Sequence, residues 1–250
     1  MTTALRRIIF IAIIAVIWEA TSRLSGLPAF MFPSLSQVLT TLFNGIVDGQ
    51  ILVAVFKSLS RLLIGFAIAI SLGVFLGYLI WRFKLVEDTL GFLVTALQSI
   101  PSIVWFPLAI IWFGLNDISI LFIVTIGATW TMTVSAASGF KNVPTLYQRV
   151  AKTFGSKGFH FVRTVILPAS VPQMISGLRI AWAFSWRALM AGELLGAGGG
   201  LGQMLEMGRS LGQMDLVISV MIIIGVIGTI MDNIVFMRLE KSVQRKWGLN

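Results

Sequence analysis

The most constraining feature of this sequence is the run Ile118–Ala137, twenty residues without a charged side chain. A helix of about 20 residues rises about 30 Å, which matches the hydrocarbon core of a lipid bilayer. The whole chain has 250 residues, of which 57% are hydrophobic and 12% charged, and its mean hydropathy is +0.92. This composition is too apolar for a soluble globule, so we predict an all-α membrane protein.

Six apolar segments are predicted to cross the membrane, at about 8–24, 59–81, 90–113, 118–137, 171–195 and 216–237. The run Leu35–Val47 is amphipathic and is expected to lie in the membrane interface. Gly73 and Gly77 form a small-xxx-small pair that suits close packing of the second span. The glycine-rich stretch Gly196–Gly202 is expected to be an outer loop. Residues 1–250 are predicted to form one transmembrane domain.

The distribution of lysine and arginine predicts the orientation of the chain. With six spans, both termini lie on one side, which carries thirteen of the nineteen basic residues. The other side carries four, and Arg179 and Arg187 lie within the fifth span. The positive-inside rule therefore places the termini and the loop 138–170 in the cytoplasm. The net charge of +9 is assigned to these loops and to anionic lipid, not to nucleic acid.

Several kinds of chemistry are excluded by what the sequence lacks. It contains no cysteine and a single histidine, so disulfides, thiolate chemistry and a His-rich metal site are excluded. No Walker-type phosphate-binding motif occurs, so this chain does not hydrolyse ATP by that route. Neither of the common hydrolase signatures, H-E-x-x-H and G-x-S-x-G, is present. We predict no catalytic residue, no metal and no cofactor bound by this chain, and hence a protein that is not itself an enzyme.

The stretch Thr145–Arg179 is polar and basic although it lies between two apolar segments. Basic and apolar side chains alternate along it at helical spacing. Gly155 is predicted to take the left-handed conformation that ends one short helix, and a second helix is predicted from Ser156 onward. Pro168 and Pro172 are predicted to stop that second helix. The expected result is a bent pair of short helices outside the membrane, shaped to fit a cleft on a soluble partner.

This stretch resembles the EAA-type loop of permeases from binding-protein-dependent ABC importers. The resemblance rests on AKTFG at 151–155, ILP at 166–168, the proline at 172 and GLR at 177–179. Further phrases follow the family order, namely FPSLSQV at 32–38, IPSIVWFPLAIIWFG at 100–114 and AGELLGAGGGLG at 191–202. Together they are most similar to permeases of the nitrate, sulfonate and taurine type. In one departure, Arg149 and Val150 stand where the motif has glutamate and alanine.

The resemblance implies a type I ABC importer permease with six transmembrane helices and a cytoplasmic helix-Gly-helix coupling loop over 145–168. The implied partners are two cytoplasmic ATPase subunits that use ATP and Mg²⁺, a second copy of the permease, an extracytoplasmic solute-binding protein and the lipid of a prokaryotic inner membrane. The implied substrate is a small solute, an anion such as a sulfonate, taurine, nitrate or bicarbonate. The implied ATPase-docking residues are Arg149, Val150, Ala151, Lys152, Phe154, Gly155, Ser156 and Lys157.

Among the charged residues within the predicted spans, where charges are usually paired or functional, four are singled out, namely Glu19, Arg187, Glu193 and Asp232. Arg187 is expected either to contact an anion in the translocation pathway or to form an ion pair with Asp232 or Glu19. Glu193 is expected either to close an outer gate or anchor the glycine loop, or to make one hydrogen bond at the interface. Asp232 is expected to snorkel or to pair with Arg238.

Two prolines, Pro101 and Pro107, are expected to bend the third span, which would suit either a gate or close packing. The candidate pathway residues are Pro101, Pro107, Trp186, Arg187 and Glu193. An alternative function remains open at this point, a self-sufficient ion-driven carrier or channel without a soluble partner. It would use the intramembrane charges Glu19, Arg187 and Asp232 as relay groups.

Overall fold

A computed structural model describes residues 3–196 and 198–247, and within these residues it contains helices and no strand. Three of the helices include a π-helical turn, at Glu87–Gly91, Val162–Ile166 and Met231–Phe236. In chain order the helices are α1 (Thr3–Leu24), α2 (Leu35–Val47), α3 (Gln50–Arg82), α4 (Lys84–Gln98), α5 (Ser102–Phe113), α6 (Asp117–Lys141), α7 (Thr145–Thr153), α8 (Gly158–Leu195), α9 (Leu201–Ser210) and α10 (Met214–Lys246).

Four of these helices, α3, α6, α8 and α10, are long and apolar enough to cross a membrane. The pair α4 and α5 is a fifth candidate, bent by 98° at the break between the two segments. These helices contain five of the six predicted spans, and they make the chain a multi-pass membrane protein. Helix α1 contains the first predicted span but also the charged residues Arg6, Arg7, Glu19 and Arg23. It is not among the candidates, so the count of six spans stays a prediction.

The predicted effect of the two prolines on the third span is right for one and wrong for the other. Pro101 lies in the break between α4 and α5, and its extended backbone precedes the first turn of α5. Pro107 lies in the first turn of the α-helical segment Phe106–Phe113. At that position the missing N–H has no intrahelical partner to lose, so the ring is tolerated without a bend.

The prediction that Pro168 and Pro172 end a helix is wrong, because α8 continues through both. A proline ring clashes with the carbonyl of the preceding turn and leaves one carbonyl without its donor. The π-helical turn Val162–Ile166 lies immediately before Pro168 and widens the backbone there.

Two compact units divide the chain, and the larger comprises Leu59–Gly192 and Gly228–Asn250. Its core is built around aromatic contacts, in which Trp182 packs edge-on against Phe66 at 5.2 Å and against Phe236 at 5.5 Å between ring centroids. A Cβ atom at Gly73 would stand 2.6 Å from Met132 Cβ, and one at Gly77 would stand 2.7 Å from Ala136 Cβ. The predicted small-residue pair is therefore confirmed as the close contact between α3 and α6.

The other unit comprises Met1–Ser58 and Glu193–Ile227. The predicted helix Leu35–Val47 is confirmed with the same bounds as α2, whereas its place in the membrane interface stays a prediction. Ser34 caps it by accepting a hydrogen bond from the N–H of Gln37. Glu19 of α1 accepts hydrogen bonds from the N–H and hydroxyl of Ser36 and is also paired with Arg23 at 2.6 Å. Glu19 thus ties the start of α2 to α1.

The segment between the last two predicted spans is not only a loop. Helix α9 fills most of it and includes the last two residues of the predicted outer loop Gly196–Gly202. The helix starts directly after the glycine run, at Leu201. Ala197, within the predicted loop, lies outside the described residues. A short, largely polar helix in this position was not predicted from the sequence, since it lacks the length and apolar periodicity that mark a span.

Candidate functional site

The turn between α7 and α8 has the geometry that the sequence predicts at Gly155. This residue has φ of +77°, in the left-handed region that favours glycine. Its N–H donates to the carbonyl of Lys152 at 3.0 Å, and the N–H of Ser156 donates to the carbonyl of Ala151 at 3.0 Å. These two bonds form a Schellman motif, which ends a helix and redirects the chain. The predicted left-handed glycine is confirmed.

The second helix of this turn begins later than predicted, at Gly158 instead of Ser156. Lys157 is extended, with φ of −140° and ψ of 162°, and Gly158 again has a positive φ of +57°. Two left-handed glycines on either side of an extended residue require a longer connection than one glycine does. We call residues 145–161 the docking loop.

The docking loop exposes large apolar side chains although it lies outside the candidate span segments predicted from the sequence. Phe154 is 86% exposed, Phe159 76% and Leu146 65%. Of the eight predicted docking residues, Ala151 and Ser156 are half-buried and the other six are exposed. A patch of exposed apolar side chains among basic ones marks an interaction surface for another protein.

The basic side chains of the docking loop complete this surface. Arg149, Lys152 and Lys157 are exposed, and none forms an ion pair within residues 3–196 and 198–247. Arg149, which replaces the glutamate of the family motif, therefore points to solvent with its charge available. The loop can offer both apolar contact and positive charge to an acidic-rimmed cleft.

A second cluster of charges joins α8 to α10 within the larger unit. Arg179 donates to Asp232 through Nε at 2.6 Å and Nη2 at 2.7 Å, a bidentate pair. Its Nη1 also donates to Glu240 at 3.3 Å, and Ser176 Oγ donates to the other oxygen of Glu240 at 3.0 Å. The predictions that Asp232 snorkels or pairs with Arg238 are therefore wrong. Arg187, two turns further along α8 than Arg179, was also considered as a partner, but it is Arg179 that reaches Asp232.

Arg187 lies in a cavity of about 400 Å³ that also borders this cluster. The residue is exposed, and its guanidinium carbon stands 6.0 Å from the ring centroid of Phe184, one turn earlier on α8. It is eight residues, or about 12 Å, from the end of α8 at Leu195. A guanidinium facing lipid near the bilayer centre costs at least about 2.5–3.5 kcal/mol on insertion scales. The cavity gives it a polar setting.

The predicted ion pair of Arg187 with Asp232 or Glu19 is wrong. Asp232 is held by Arg179, and Glu19 is held by Arg23 and Ser36. In the part of the chain that the structure describes, Arg187 makes neither an ion pair nor a hydrogen bond. Its contact with Phe184 is a cation-π contact, which orients the guanidinium without neutralising it.

Glu193 belongs to the smaller unit and is almost fully buried, at 1% exposed. Ser58 Oγ donates to its carboxylate at 2.7 Å, and the N–H of Gly202 donates to Oε2 at 3.0 Å. Ser58 Oγ in turn accepts from the N–H of Leu201 at 2.9 Å. Two of the four N–H groups that begin α9 are thus satisfied by this network. The prediction of a single hydrogen bond at the interface is wrong, whereas the alternative, anchorage of the glycine loop, agrees with these contacts.

Gly200 is required at the start of α9 for two independent reasons. Its φ is +126°, which side chains rarely adopt, and an added Cβ would stand 2.5 Å from Cδ of Glu193. The backbone therefore lies directly against the carboxylate. This close approach is what allows Glu193 to reach the first turn of α9.

The five predicted pathway residues are not brought together at one site. Pro101 lines a separate small cavity of about 50 Å³, Pro107 is exposed, and Trp186 is half-buried against the core of the larger unit. Only Arg187 lies in a cavity with other charged residues.

Sequence reasoning also missed the partners in both networks. The partners of Arg179 lie in α10, far from it along the chain. Ser58 is likewise far in sequence from Glu193, to which it donates. Ser58 and Ser60 both follow Lys57 in an apolar helix, and nothing in the sequence distinguished Ser58 as a partner of Glu193.

These observations define a class of protein, a helical multi-pass membrane protein with an exposed, basic and apolar loop between two of its spans. Residues 69–247 match the family described as the binding-protein-dependent transport system inner membrane component. The chain belongs to this family, and it is the permease subunit of an ABC importer.

Curated relatives agree with this assignment over most of their length. A putative ABC transporter permease of Methanocaldococcus jannaschii is 35% identical over 226 residues, covering 88% of this chain and 84% of the relative. A putative aliphatic sulfonates transport permease of Bacillus subtilis is 28% identical, with 94% and 85% covered. A nitrate import permease of Synechocystis is also 28% identical, with 92% and 86% covered.

A solved structure shows the same fold at low sequence identity. A chain from the inward-facing conformations of the MetNI methionine ABC transporter superposes with a TM-score of 0.68 at 18% identity. The match covers 77% of this chain and 95% of that chain. The helical arrangement described above is therefore that of an ABC importer permease.

Proposed function

We propose that this permease imports a small anion and that its docking loop receives a cytoplasmic ATPase. The main support for the proposal is the shape of that loop. A Schellman turn at Gly155 exposes Phe154 beside basic side chains that form no ion pair among the described residues. The proposed contact residues are Arg149, Val150, Ala151, Lys152, Phe154, Gly155, Ser156 and Lys157. ATP and Mg²⁺ would be used by the ATPase, and this chain would bind no cofactor.

The substrate class is proposed from the relatives. Two of them are named for aliphatic sulfonates and for nitrate, both of which are small anions. Bicarbonate, a small anion, and taurine, a zwitterion that carries a sulfonate group, are proposed as further candidates of similar size. An extracytoplasmic solute-binding protein would deliver the anion, and a second copy of the permease would complete the pathway.

The proposed orientation follows from charge. Both termini and the docking loop would lie in the cytoplasm of a prokaryotic cell, where ATP is available, because the basic residues concentrate there. The segment from α9 to the start of α10 would then lie outside, where a binding protein approaches. Six crossings of the inner membrane satisfy this arrangement.

The proposed coupling uses the continuity of α8. This single helix runs from Gly158, beside the docking loop, past Arg179 and Arg187 to Leu195. A displacement of the docking loop by the ATPase would therefore reach the middle of the membrane without an intervening hinge other than the π turn Val162–Ile166. Rigid movement of packed helices is a common basis for alternating access.

The alternative of a self-sufficient carrier or channel has no specific observation in its favour. Its proposed relay required Glu19, Arg187 and Asp232 to act on one another. Glu19 and Asp232 are each held by a different arginine, so neither is a partner of Arg187.

Reconstitution tests the proposed function. The permease, a co-expressed ATPase and a solute-binding protein encoded beside it would be placed in proteoliposomes, and uptake of taurine, ethanesulfonate, nitrate and bicarbonate measured. We expect uptake of at least one of these anions that requires both ATP and the binding protein. Uptake by the permease alone, driven by an ion gradient, would instead support the carrier.

A further inference from the structure

Arg187 is the starting point for an inference that rests on, and deepens, the proposed function. A guanidinium carries five N–H donors and stays charged under all ordinary conditions. Among the residues that the structure describes, none accepts a hydrogen bond from Arg187, and its one recorded contact is with the ring of Phe184. A charge of this kind within a membrane helix normally pairs with another group or faces a water-filled cavity. Arg187 has no hydrogen-bond partner among the described residues and lines such a cavity, so its donors are available to a solute.

The two acids that line the same cavity, Asp232 and Glu240, already accept hydrogen bonds from other residues. Both oxygens of Asp232 accept from Arg179, and the two oxygens of Glu240 accept from Arg179 and from Ser176. Each carboxylate oxygen that lines the cavity therefore has its own donor. The two acids carry one negative charge more than Arg179 does, so Arg187 brings the formal charge of the cavity lining to zero. Among the described residues it is also the cation whose N–H donors face the cavity without a hydrogen-bond acceptor.

The cavity suits a small planar or tetrahedral oxyanion. Its volume is about 400 Å³, within the range of small-molecule sites, and Ile180, Ala183 and Phe184 give it an apolar wall. Phe184 lies against the guanidinium and limits its rotation. A guanidinium fixed in this way presents two parallel N–H groups, which match two oxygens of a sulfonate, nitrate or carboxylate.

We infer that Arg187 is the anion-contacting residue of the translocation pathway, with Phe184 as the platform that orients it. The ligand class is a small oxyanion that binds through two oxygens. The Arg179 cluster fulfils a different role, since it keeps the neighbouring acids from capturing Arg187. Because the unpaired N–H donors of Arg187 need oxygen acceptors, the site favours oxyanions over cations of the same size.

The absence of cysteine from this sequence allows a direct test of that charge preference. Ala183→Cys places a thiol in the cavity one helical turn from Arg187. The full-length protein in nanodiscs would be treated separately with sulfonatoethyl methanethiosulfonate, an anion, and with trimethylammonium-ethyl methanethiosulfonate, a cation. The ratio of the two reaction rates is measured, because any change in thiol reactivity cancels in that ratio.

The ratio is the rate for the anionic reagent divided by the rate for the cationic reagent. With Arg187 present, this ratio is expected to be higher for Ala183→Cys in the cavity than for Ser210→Cys at an exposed position. Adding Arg187→Gln should lower the ratio by about tenfold or more, whereas Arg187→Lys should retain most of it. Arg209→Gln is the matched control, since Arg209 is an exposed arginine held by Glu206. A ratio that is unchanged by Arg187→Gln, or a thiol that reacts with neither reagent, would overturn the inference.

Uptake gives the second readout and separates this inference from the proposed function. Arg187→Gln should reduce the maximal rate of anion uptake by about tenfold or more, with unchanged co-purification of the ATPase and an unchanged half-saturating concentration of the binding protein. Adding Asp232→Asn should not restore the rate, and restoration would overturn the inference. If the unmodified complex transported none of the anions, the proposed function would fail instead, whatever the reagent ratio shows.

Discussion

Single residues decide the shape of the docking loop, and Gly155 does so most directly. Its left-handed backbone is costly for a β-branched side chain, by about 1–3 kcal/mol. No other atom lies within 4 Å of the position of an added Cβ, so Gly155→Val acts through the backbone alone. We expect this variant to reach the membrane in normal amounts but to lose ATPase binding and uptake. Expression, co-purification and uptake are the measurements.

Gly212 provides the matched control for that prediction. It also has a positive φ, of +68°, and open space around it, but it follows α9 at the opposite end of the proposed topology. Gly212→Val should impose the same local strain and leave ATPase binding intact. Equal loss of ATPase binding in both variants would mean that general destabilisation, not the docking loop, explains the result.

A second prediction at this scale concerns the carboxylate of Glu193. Glu193→Gln replaces one acceptor oxygen by a donor, which then faces the hydroxyl of Ser58 or the N–H of Gly202. An unsatisfied buried group costs about 1–3 kcal/mol, so the start of α9 should open more often. Amide hydrogen exchange over residues 201–210 should become about tenfold faster or more.

Glu206, which is partly exposed on the same helix, is the control for that change. The hydrogen bond from Arg209 lowers the pKa of the Glu206 carboxyl, but the pair lies in solvent and contributes little to stability. Glu206→Gln should therefore leave exchange in α9 nearly unchanged. Identical protection in the Glu193 and Glu206 variants would contradict the proposed anchor.

Residues whose conformation depends on near neighbours could be predicted from the sequence. The left-handed state of Gly155 follows from a glycine placed directly after a short amphipathic helix. The partners of Arg179 could not be predicted, because Asp232 and Glu240 approach it only after two separate helices have packed. The burial of Glu193 was missed for the same reason, since Ser58 lies 135 residues away.

At the scale of helices, the contact between α3 and α6 depends on small residues. Gly77→Ala would place a Cβ 2.7 Å from Ala136 Cβ and 2.9 Å from backbone atoms, which forces the helices apart. Overpacking of this kind costs about 1–3 kcal/mol, so the thermal stability of the purified protein should fall. Gly225→Ala in α10 is the control, because nothing lies within 4 Å of its added Cβ. An equal loss in both variants would argue against the close contact.

The proposed topology is tested by cysteine labelling, and the structure directs the choice of positions. Lys157→Cys in the docking loop, chosen because Lys157 is exposed whereas the hydroxyl of Ser156 is buried, should react with an impermeant reagent only from the cytoplasmic side. Ser210→Cys at the end of α9 should react only from outside. Gly200 is unsuitable, since any side chain there meets Glu193. Labelling of both positions from the same side would contradict the proposed orientation.

Helices that contain a long apolar run could be predicted from the sequence. Helices that contain prolines or many polar residues were predicted less well. The long runs in α3, α6, α8 and α10 were identified, and α2 was found with its full bounds. The continuation of α8 through two prolines was not, because it depends on a π turn that the sequence does not mark. Helix α9 was missed because its start is held by Glu193 and Ser58, not by its own apolar pattern.

At the scale of the molecule, most of the apolar surface belongs to the membrane or to other chains. In α1, for example, Phe10 is 64% exposed, Ile11 65% and Val16 67%. Side chains of this kind are stable in contact with lipid or with a second copy of the permease. The docking loop differs because its exposed Phe154 and Phe159 lie beside basic residues in a segment between spans, where a soluble partner is the expected contact.

The central claim is that the docking loop is where the ATPase acts on this permease, and photo-crosslinking tests it most directly. A benzoyl-phenylalanine in place of Phe154 would be activated in the assembled complex, with the same group in place of Phe43, 67% exposed on α2, as the control. We predict a crosslink to the ATPase from position 154, absent from position 43, whose yield changes when ATP is added. An ATPase that co-purifies and supports uptake but never crosslinks at position 154 would contradict the account.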